Sequence, residues 1–369
     1  MDRPNEDWFP VLQGFYLETQ RAFLSAWDQL SAGEHSKIFW GPRPELWKVI
    51  GDEILFTKEL TDHRQLQSTI HCWIEAIETT RQFLRKFERP LDVKCTAWTA
   101  GFPVVNKEVA LPKEVDLQGP PVTNYVKEAG RLLEERYSAR PKSKKGKIEV
   151  DYIGPSIDIG FRLSQFATNR KFMISVGAAY ILTLSNKKNP AIKLRSIRYD
   201  GSAVLKGVFG GANYPLFWLD MSKDGDLSRL EDRLTPQTNC SLEDIHAFCS
   251  QFFEEARAYT FPPFIISETE TEILEKPELW DAAIEQFKQR LVSEVIGDDA
   301  SQKEAEEEMP PATIEVLSEK PKPVTPKKPI SDETPKAVST IDFARLVNRV
   351  YKLTTDMEDS MKKTDDEAK

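Results

Sequence analysis

The chain of 369 residues has 50 basic and 59 acidic residues, and its formal net charge at pH 7 is -9. This acidic balance argues against binding to nucleic acid or to a membrane surface through a broad basic face. No apolar run approaches the roughly 18–20 residues of a membrane-spanning helix. The first residues, Met1–Asn5, lack the apolar stretch of a signal peptide. The four cysteines show neither CxxC pairs nor zinc-ligand spacing, which indicates a reduced, cytoplasmic protein.

Composition divides the chain into four parts. Residues 1–219 alternate amphipathic runs with short β-rich runs, and residues 220–296 are predicted to form a helical extension. Residues 297–340 are dominated by Glu, Lys, Pro and Ser. Such a segment buries too little apolar surface to offset its ordering entropy, so it is predicted to be a disordered linker. Residues 341–369 are expected to contain one short amphipathic helix and a tail.

Within residues 1–219, the apolar pattern predicts helices and strands in a definite order. Apolar residues three or four apart predict one helix from Leu12 to Leu30 and another from Leu66 to Phe87. Between them, two strand-like runs flank Gly51-Asp52, which is a tight hairpin signal. Further strands are predicted at 91–99, 147–153, 172–176 and 214–219, with a helix at 156–167 and a Pro- and Lys-rich insertion at about 102–146. This order predicts an α+β domain with one mixed, largely antiparallel sheet covered by helices.

The pair Gly51-Asp52 is the first feature that points to a chemistry. Taken alone, it is good turn chemistry and needs no other explanation. An acidic group at a hairpin tip is, however, also well placed to hold a cation. The segment Lys48–Asp52, KVIGD, resembles the metal-binding hairpin of class III nucleotide cyclases, the adenylate and guanylate cyclase family.

Further segments match that family in the expected order. Residues 151–163, DYIGPSIDIGFRL, resemble its D-x-x-G-x-x-x-N-x-x-x-R segment. Taken alone, Asp158 and Arg162 are four residues apart on a helix and could equally be a solvated ion pair. Residues 201–207, GSAVLKG, followed by PLFWL at 215–219, resemble the closing hairpin, and 91–101 fits the central strand. The resemblance covers residues 2–219 and leaves the C-terminal third unexplained.

The resemblance implies a fold, a reaction and a set of site residues. The fold is a cyclase-like, ferredoxin-like βαββαβ core whose first strand is missing or truncated. The reaction is in-line attack of a ribose 3′-hydroxyl on the α-phosphorus, assisted by two Mn2+ or Mg2+ ions. The implied roles are metal ligation by Asp2 and Asp52, catalysis by Arg162 and Asp158, base recognition by Lys48 and Asp151, and phosphate binding by Lys206. Because the family places the metal carboxylates and the arginine on different subunits, a homodimer with shared sites is implied.

The chain departs from the family pattern at its start. The strand that carries the family's first metal carboxylate is absent, so either the true start lies upstream or this edge strand is missing. Asp2 is taken as the metal ligand, since Glu6 and Asp7 resemble acids of a helix N-terminus. Asp158 stands where the family usually has Asn. The phosphate-binding Gly-Phe-Thr turn is replaced by Arg3-Pro4-Asn5.

A cyclase domain with no membrane or sensor module, with a long insertion between Gly101 and Asp151 and with Asp158 in place of Asn, resembles the bacterial pyrimidine cyclases of the Pycsar anti-phage systems. Those enzymes make cyclic UMP or cyclic CMP, which a separate effector protein reads. UTP is placed before CTP because uridylate cyclases are the commoner product class among such relatives, and hydrogen bonding to Lys48 and Asp151 does not separate the two bases. Bulky Trp47, Trp98 or Tyr152 near the base could exclude a purine, or each could simply be a core aromatic.

Three other functions stay open at this point. An adenylate or guanylate cyclase fits the same motifs. A catalytically inactive cyclase fold that binds nucleotide or a partner fits the missing first strand. An RNA-binding α+β domain rests only on the basic run at 140–147, which has no interleaved aromatics and conflicts with the acidic balance.

Overall fold

The computed structural model describes most of residues 8–265 and a few residues beyond. The described residues are 8–32, 36–87, 91–103, 105–114, 122, 124–137, 148–184, 192, 195–221, 226–234, 240–256, 260–265, 284, 285 and 289. Several expectations fall outside them: the metal ligand Asp2, the basic run at 140–147, the linker at 297–340 and the segment 341–369.

Helices and strands alternate along the described chain. The helices are α1 Trp8–Leu30, α2 Ser36–Phe39, α3 Arg64–Leu84, α4 Tyr125–Tyr137, α5 Pro155–Leu163, α6 Val176–Thr183, α7 Asp226–Leu234 and α8 Leu242–Glu255. The strands are β1 Glu45–Ile50, β2 Glu53–Thr57, β3 Thr96–Ala97, β4 Lys107–Pro112, β5 Ile148–Ile153, β6 Lys171–Ile174, β7 Ile197–Val204 and β8 Asn213–Asp220. This mixed arrangement agrees with the expected α+β class. Among the described helices, none combines the length and apolarity needed to cross a membrane.

The strands pair into three sheets rather than into the single sheet that was expected. β1 pairs with β2, β4 pairs with β5, and a four-stranded sheet has the order β3-β6-β8-β7. Every pairing is antiparallel except that of β3 with β6, so the expectation of a largely antiparallel arrangement is confirmed. The strand β4 and the helix α4 lie in the expected insertion, where no element had been predicted, and β4 pairs with β5, which had been predicted.

The strand predicted at 91–99 is also shorter than expected, because a side chain takes over part of its backbone bonding. Arg81 of α3 donates from Nη2 to the Val93 carbonyl at 3.0 Å and from Nε to Asp92 Oδ1 at 2.7 Å. Backbone groups that bond a side chain are lost to a strand ladder. Regular pairing therefore starts only at Thr96.

The main core lies between the four-stranded sheet and the helices α3, α5, α6 and α8. β8 runs through its centre and is buried from Tyr214 to Asp220, as expected of a strand with neighbours on both sides and covered faces. α8 lies in the expected helical extension and buries Ile245, Cys249 and Phe253 in this same core. α1 packs along α3 and forms a second cluster with it around Phe23 and Trp27.

Gly160 allows α5 to approach the aromatic residues next to it. A Cβ added there would lie 2.1 Å from Cδ2 of Trp98, well inside the contact limit. Alanine in a helix interior normally adds about 0.5–1 kcal/mol of stability over glycine. Overpacking costs about 1–3 kcal/mol, so the clash should outweigh this gain.

We therefore expect Gly160→Ala to lower the free energy of unfolding by about 1–2 kcal/mol in urea titrations. The matched test is the same change in a Trp98→Leu background, where the obstructing ring is gone. There, Gly160→Ala should be neutral or stabilising. An equal loss in both backgrounds would show that the ring contact is not the cause.

Candidate functional site

An ammonium–carboxylate contact joins the β1–β2 hairpin to the β4–β5 strand pair. Lys48 lies on β1 and Asp151 on β5, and 103 residues separate them in sequence. Lys48 Nζ lies 2.7 Å from Asp151 Oδ1 and 2.9 Å from Oδ2. Oδ1 also accepts from the Trp47 indole Nε1 at 3.0 Å and from the Tyr152 backbone N–H at 2.9 Å. The two residues that the resemblance assigned to the base edge are thus in direct contact.

A β-bulge explains why two consecutive side chains of β1 reach one carboxylate. Leu46 pairs with Phe56 and Lys48 pairs with Leu55, so Trp47 is an extra residue in the ladder. In a regular strand, neighbouring side chains point to opposite faces. A bulge breaks this alternation and redirects a side chain. Trp47 and Lys48 consequently approach Asp151 together.

The hydrogen bonds keep Asp151 ionised despite its partial burial. Burial alone would raise the pKa of this carboxyl, but hydrogen bonds from Lys48, from the Tyr152 backbone and from Trp47, together with the Lys48 charge, lower the pKa overall. Each oxygen of an ionised carboxylate has about two lone-pair sites. The described contacts put three donors on Oδ1 but one on Oδ2, so one acceptor site on Oδ2 stays for a ligand. The Lys48 ammonium has three N–H groups, and its two contacts with Asp151 leave one of them for a ligand.

Aromatic rings line one side of this pair. The ring centroids of Trp47 and Tyr152 are 5.1 Å apart, and the Lys48 ammonium lies 4.5 Å from the centroid of Trp47. Phe161 lies 6.1 Å from Trp47 and 5.6 Å from Trp98. Burial and the nearby Glu108 charge raise the pKa of Tyr152 to about 12, so its phenol is neutral at physiological pH. A flat, apolar ligand bound at the Lys48–Asp151 pair could pack against this preformed wall of aromatic rings.

Asp52 lies at the exposed tip of the β1–β2 hairpin, four residues beyond Lys48. Gly51 has a φ of +60°, a conformation that favours glycine, and this residue makes the two-residue turn possible. The Tyr16 hydroxyl of α1 donates to the Gly51 carbonyl and holds the tip in place. Within the described residues, the Asp52 carboxylate forms no ion pair.

The Asp52 carboxylate has the chemistry of the metal ligand that the resemblance assigns to this position. Carboxylate oxygens are the ligands that Mg2+ and Mn2+ prefer, and Mg2+ commonly binds one or two carboxylates together with substrate phosphates. No group of three or more His, Cys, Asp or Glu side chains suited to a metal occurs in the described ranges. Asp52 fits as one of the two expected ligands, while Asp2 lies outside the described residues.

The helix α5 carries the two predicted catalytic residues, and both are exposed. Arg162 Nε donates to the Lys206 backbone carbonyl at 3.0 Å, which joins the helix to the segment after β7. Arginine has five N–H donors, and in the described part of the chain no acceptor takes the other four. Asp158 and Arg162 form no ion pair with each other there, so the solvated-pair interpretation is not supported.

The structure therefore contains two separate contacts, one on β5 and one on α5, and α5 follows β5 directly in the chain. Asp151 of β5 contacts Lys48 of β1. Arg162, near the end of α5, bonds the backbone carbonyl of Lys206. Sequence patterns had suggested all four residues. The sequence patterns had not suggested that the Trp47 indole donates to Asp151, nor that Phe161 packs with the other aromatic rings. The aromatic character of Trp47 and Phe161 can be read from the sequence, but the bulge that redirects Trp47 has no sequence signal.

Comparison with known protein families, with curated proteins and with solved structures finds no match for this chain.

The lowered pKa of Asp151 predicts how the stability of the protein depends on pH. A carboxyl whose pKa is lower in the folded state stabilises the fold above its unfolded pKa, about 3.9, and loses this effect as the pH falls. Asp151→Asn keeps an acceptor for Trp47 but removes the charge. We expect wild type to exceed this variant by up to about 1 kcal/mol at neutral pH, because the pair is partly exposed.

Urea unfolding between about pH 7 and pH 3 measures this difference directly. The gap should stay constant down to about pH 5 and close below about pH 4. A gap that is the same at every pH would contradict the assigned ionisation of Asp151.

Proposed function

We propose that this protein is a class III-type nucleotide cyclase that converts a pyrimidine nucleoside triphosphate into the 3′,5′-cyclic monophosphate and diphosphate. UTP is the favoured substrate and CTP the second. The observation that carries this proposal is the 2.7 Å contact of Lys48 with Asp151, beside the hairpin tip that bears Asp52. The resemblance assigns both residues to base recognition, and the fold brings them into contact although they are distant in sequence.

The remaining donor and acceptor sites of this pair suit a pyrimidine edge. Cytosine offers N3 as an acceptor and its 4-amino group as a donor, and uracil offers O4 and N3–H. Either base can accept from Lys48 and donate to Asp151. The Trp47 indole lies within hydrogen-bond distance of the same carboxylate, so a base bound to the pair must lie against this ring. A single-ring base needs less of that space than a purine.

The other site residues have roles in the displacement that follow from their charge. The ribose 3′-oxygen forms a bond to the α-phosphorus, the bond to the bridging oxygen breaks, and diphosphate leaves while the hydroxyl proton is lost. The free N–H groups of Arg162 would donate to phosphate oxygens as charge grows on them, and Lys206 would bind the terminal phosphates. Asp158 would accept from a ribose hydroxyl and orient the sugar.

Asp52, together with Asp2, would hold the two Mn2+ or Mg2+ ions of this site. When bound, the ions neutralise phosphate charge and lower the pKa of the attacking hydroxyl.

A second copy of the chain would complete the site. In the family that this chain resembles, one subunit provides the metal carboxylates and the other provides the arginine. The hairpin around Asp52 exposes Leu46, Val49 and Ile50, each more than 40% accessible. Exposed apolar side chains on one short hairpin support a protein contact at this position. The cyclic product would then act as a messenger for a separate effector protein in a cytoplasmic anti-phage response.

Turnover assays with purified protein, Mn2+ and each of the four ribonucleoside triphosphates test this proposal. Cyclic UMP or cyclic CMP is the expected product, detected by mass spectrometry. Asp52→Asn should lower kcat at least about 100-fold, because a lost metal ligand removes several kcal/mol of charge stabilisation. Glu53→Gln is the matched control on the same hairpin and should leave turnover unchanged. Absence of a cyclic product from all four triphosphates would reject the proposal.

The second candidate is a binding module without catalysis. It is favoured by the sequence at the start of the chain, where Arg3-Pro4-Asn5 replaces the phosphate-binding Gly-Phe-Thr turn. Calorimetry separates the two functions: a binding module takes up UTP or CTP without turnover, and Asp52→Asn leaves its affinity unchanged.

Base selectivity should depend on the Trp47 ring. Trp47→Ala removes the wall beside Lys48 and Asp151, and we expect the ratio of kcat/KM for ATP over UTP to rise at least about 10-fold. Trp47→Phe keeps a ring but loses the indole donor, so it should remain selective for pyrimidines. An unchanged ratio in Trp47→Ala would show that the indole does not limit the size of the base.

A further inference from the structure

Asn106 is a polar residue buried at the junction of three segments. It precedes β4 and its exposed fraction is 0%. Its Nδ2 donates to the Gly101 carbonyl at 2.7 Å and lies 3.2 Å from Ser156 Oγ. Its Oδ1 accepts from the Ser156 backbone N–H at 3.0 Å. One amide side chain thus connects the turn after β3 to the first turn of α5.

The start of α5 lacks a capping side chain of its own. The residue at its N-cap position is Gly154, whose φ is +135°. The first N–H groups of a helix need acceptors from outside the helix. Asn106 supplies one of them from a different part of the chain. A Cβ on Gly154 would lie 2.6 Å from Asn106 Oδ1 and 2.8 Å from Asn106 Cα, so glycine at 154 is what allows this approach.

Asn106 lies between the part of the candidate site on β5 and the part on α5. The next residue, Lys107, pairs with Ile153, the last residue of β5. Asn106 therefore lies where the β4–β5 ladder ends and α5 begins. β5 bears Asp151, and α5 bears Asp158 and Arg162. The direction in which α5 leaves β5 sets the distance between the base-reading carboxylate and the guanidinium.

We infer that Asn106 is a positioning residue for Arg162. It anchors the first turn of α5 and thereby fixes the guanidinium relative to Asp151. This inference rests on the proposed function for the task of Arg162, while the anchoring itself does not. Displacing a catalytic group by about 1 Å can cost about 100-fold in rate. Because the base-reading pair lies on β1 and β5, loss of the anchor should affect kcat far more than KM.

Asn106→Ala is the first test. We expect kcat with UTP to fall about 100-fold, while KM changes less than about three-fold. Hydrogen exchange of peptides covering α5 should become faster, while exchange in β8 stays slow, because only the local anchor is lost. Asn124→Ala is the matched control. It removes a comparable helix cap, the 2.8 Å bond from the Lys127 N–H on α4, where no site residue lies, and it should keep kcat.

Asn106→Asp gives a readout that a general loss of stability would not produce. An ionised Asp can accept from the Ser156 N–H but cannot donate to the Gly101 carbonyl, whereas protonated Asp can do both. Burial raises the pKa of a carboxyl. The activity of this variant relative to wild type should therefore rise as the pH is lowered, while the same ratio for Asn106→Ala stays flat.

The outcomes distinguish the inference from the proposed function. Wild-type protein that cyclises no triphosphate overturns the proposed function and the task of Arg162, and the exchange data still decide whether Asn106 anchors α5. An active wild type with unchanged kcat and unchanged α5 exchange in Asn106→Ala overturns the inference. So does a loss of kcat no larger than that of Asn124→Ala. If Asn106→Ala fails to fold, the pH series of Asn106→Asp decides.

Discussion

The contact of Lys48 with Asp151 is the interaction on which the candidate site depends. Among the described strands, the β1–β2 hairpin shares no ladder with the other sheets, and this contact and the Trp47 bond beside it connect β1 to β5. Partial burial works against the charge of Asp151, and the donors around it outweigh that cost. A pair of this kind adds little net stability, but removing one partner leaves an uncompensated charge. Its main effect is to specify one arrangement of the β1–β2 hairpin relative to the β4–β5 strand pair.

The rest of the fold provides rigid support for this arrangement. The four-stranded sheet and the helices α3, α6 and α8 form a closed core. The site residues lie on the β1–β2 hairpin, on β5, on α5 and just after β7. Two of these segments have a specific supporting contact: Tyr16 holds the tip of the β1–β2 hairpin, and Asn106 holds the start of α5. Precise sites need such supporting contacts, because a group displaced by about 1 Å loses most of its effect.

Several parts of the fold could be predicted because they depend on local chemistry. The long amphipathic helices α1 and α3 follow from apolar spacing, and the turn at Gly51 follows from glycine's access to positive φ. The division into three sheets could not be predicted, because strand pairing is decided by contacts distant in sequence. The short β3 is an example: Arg81, more than ten residues away, takes the backbone carbonyl that a longer strand would have used.

For the candidate site, the sequence by itself determined which residues carry suitable charges and in what order they occur. Lys48, Asp52, Asp151, Asp158, Arg162 and Lys206 were all assigned by the resemblance of their segments to class III cyclase motifs. Only the tertiary structure decided that Lys48 and Asp151 touch, that a bulge brings Trp47 to the same carboxylate, and that Asn106 caps a helix whose own N-cap is glycine. The physical reason is that spacing along the chain records local periodicity, whereas bulges and borrowed caps arise only when distant segments must satisfy each other's polar groups.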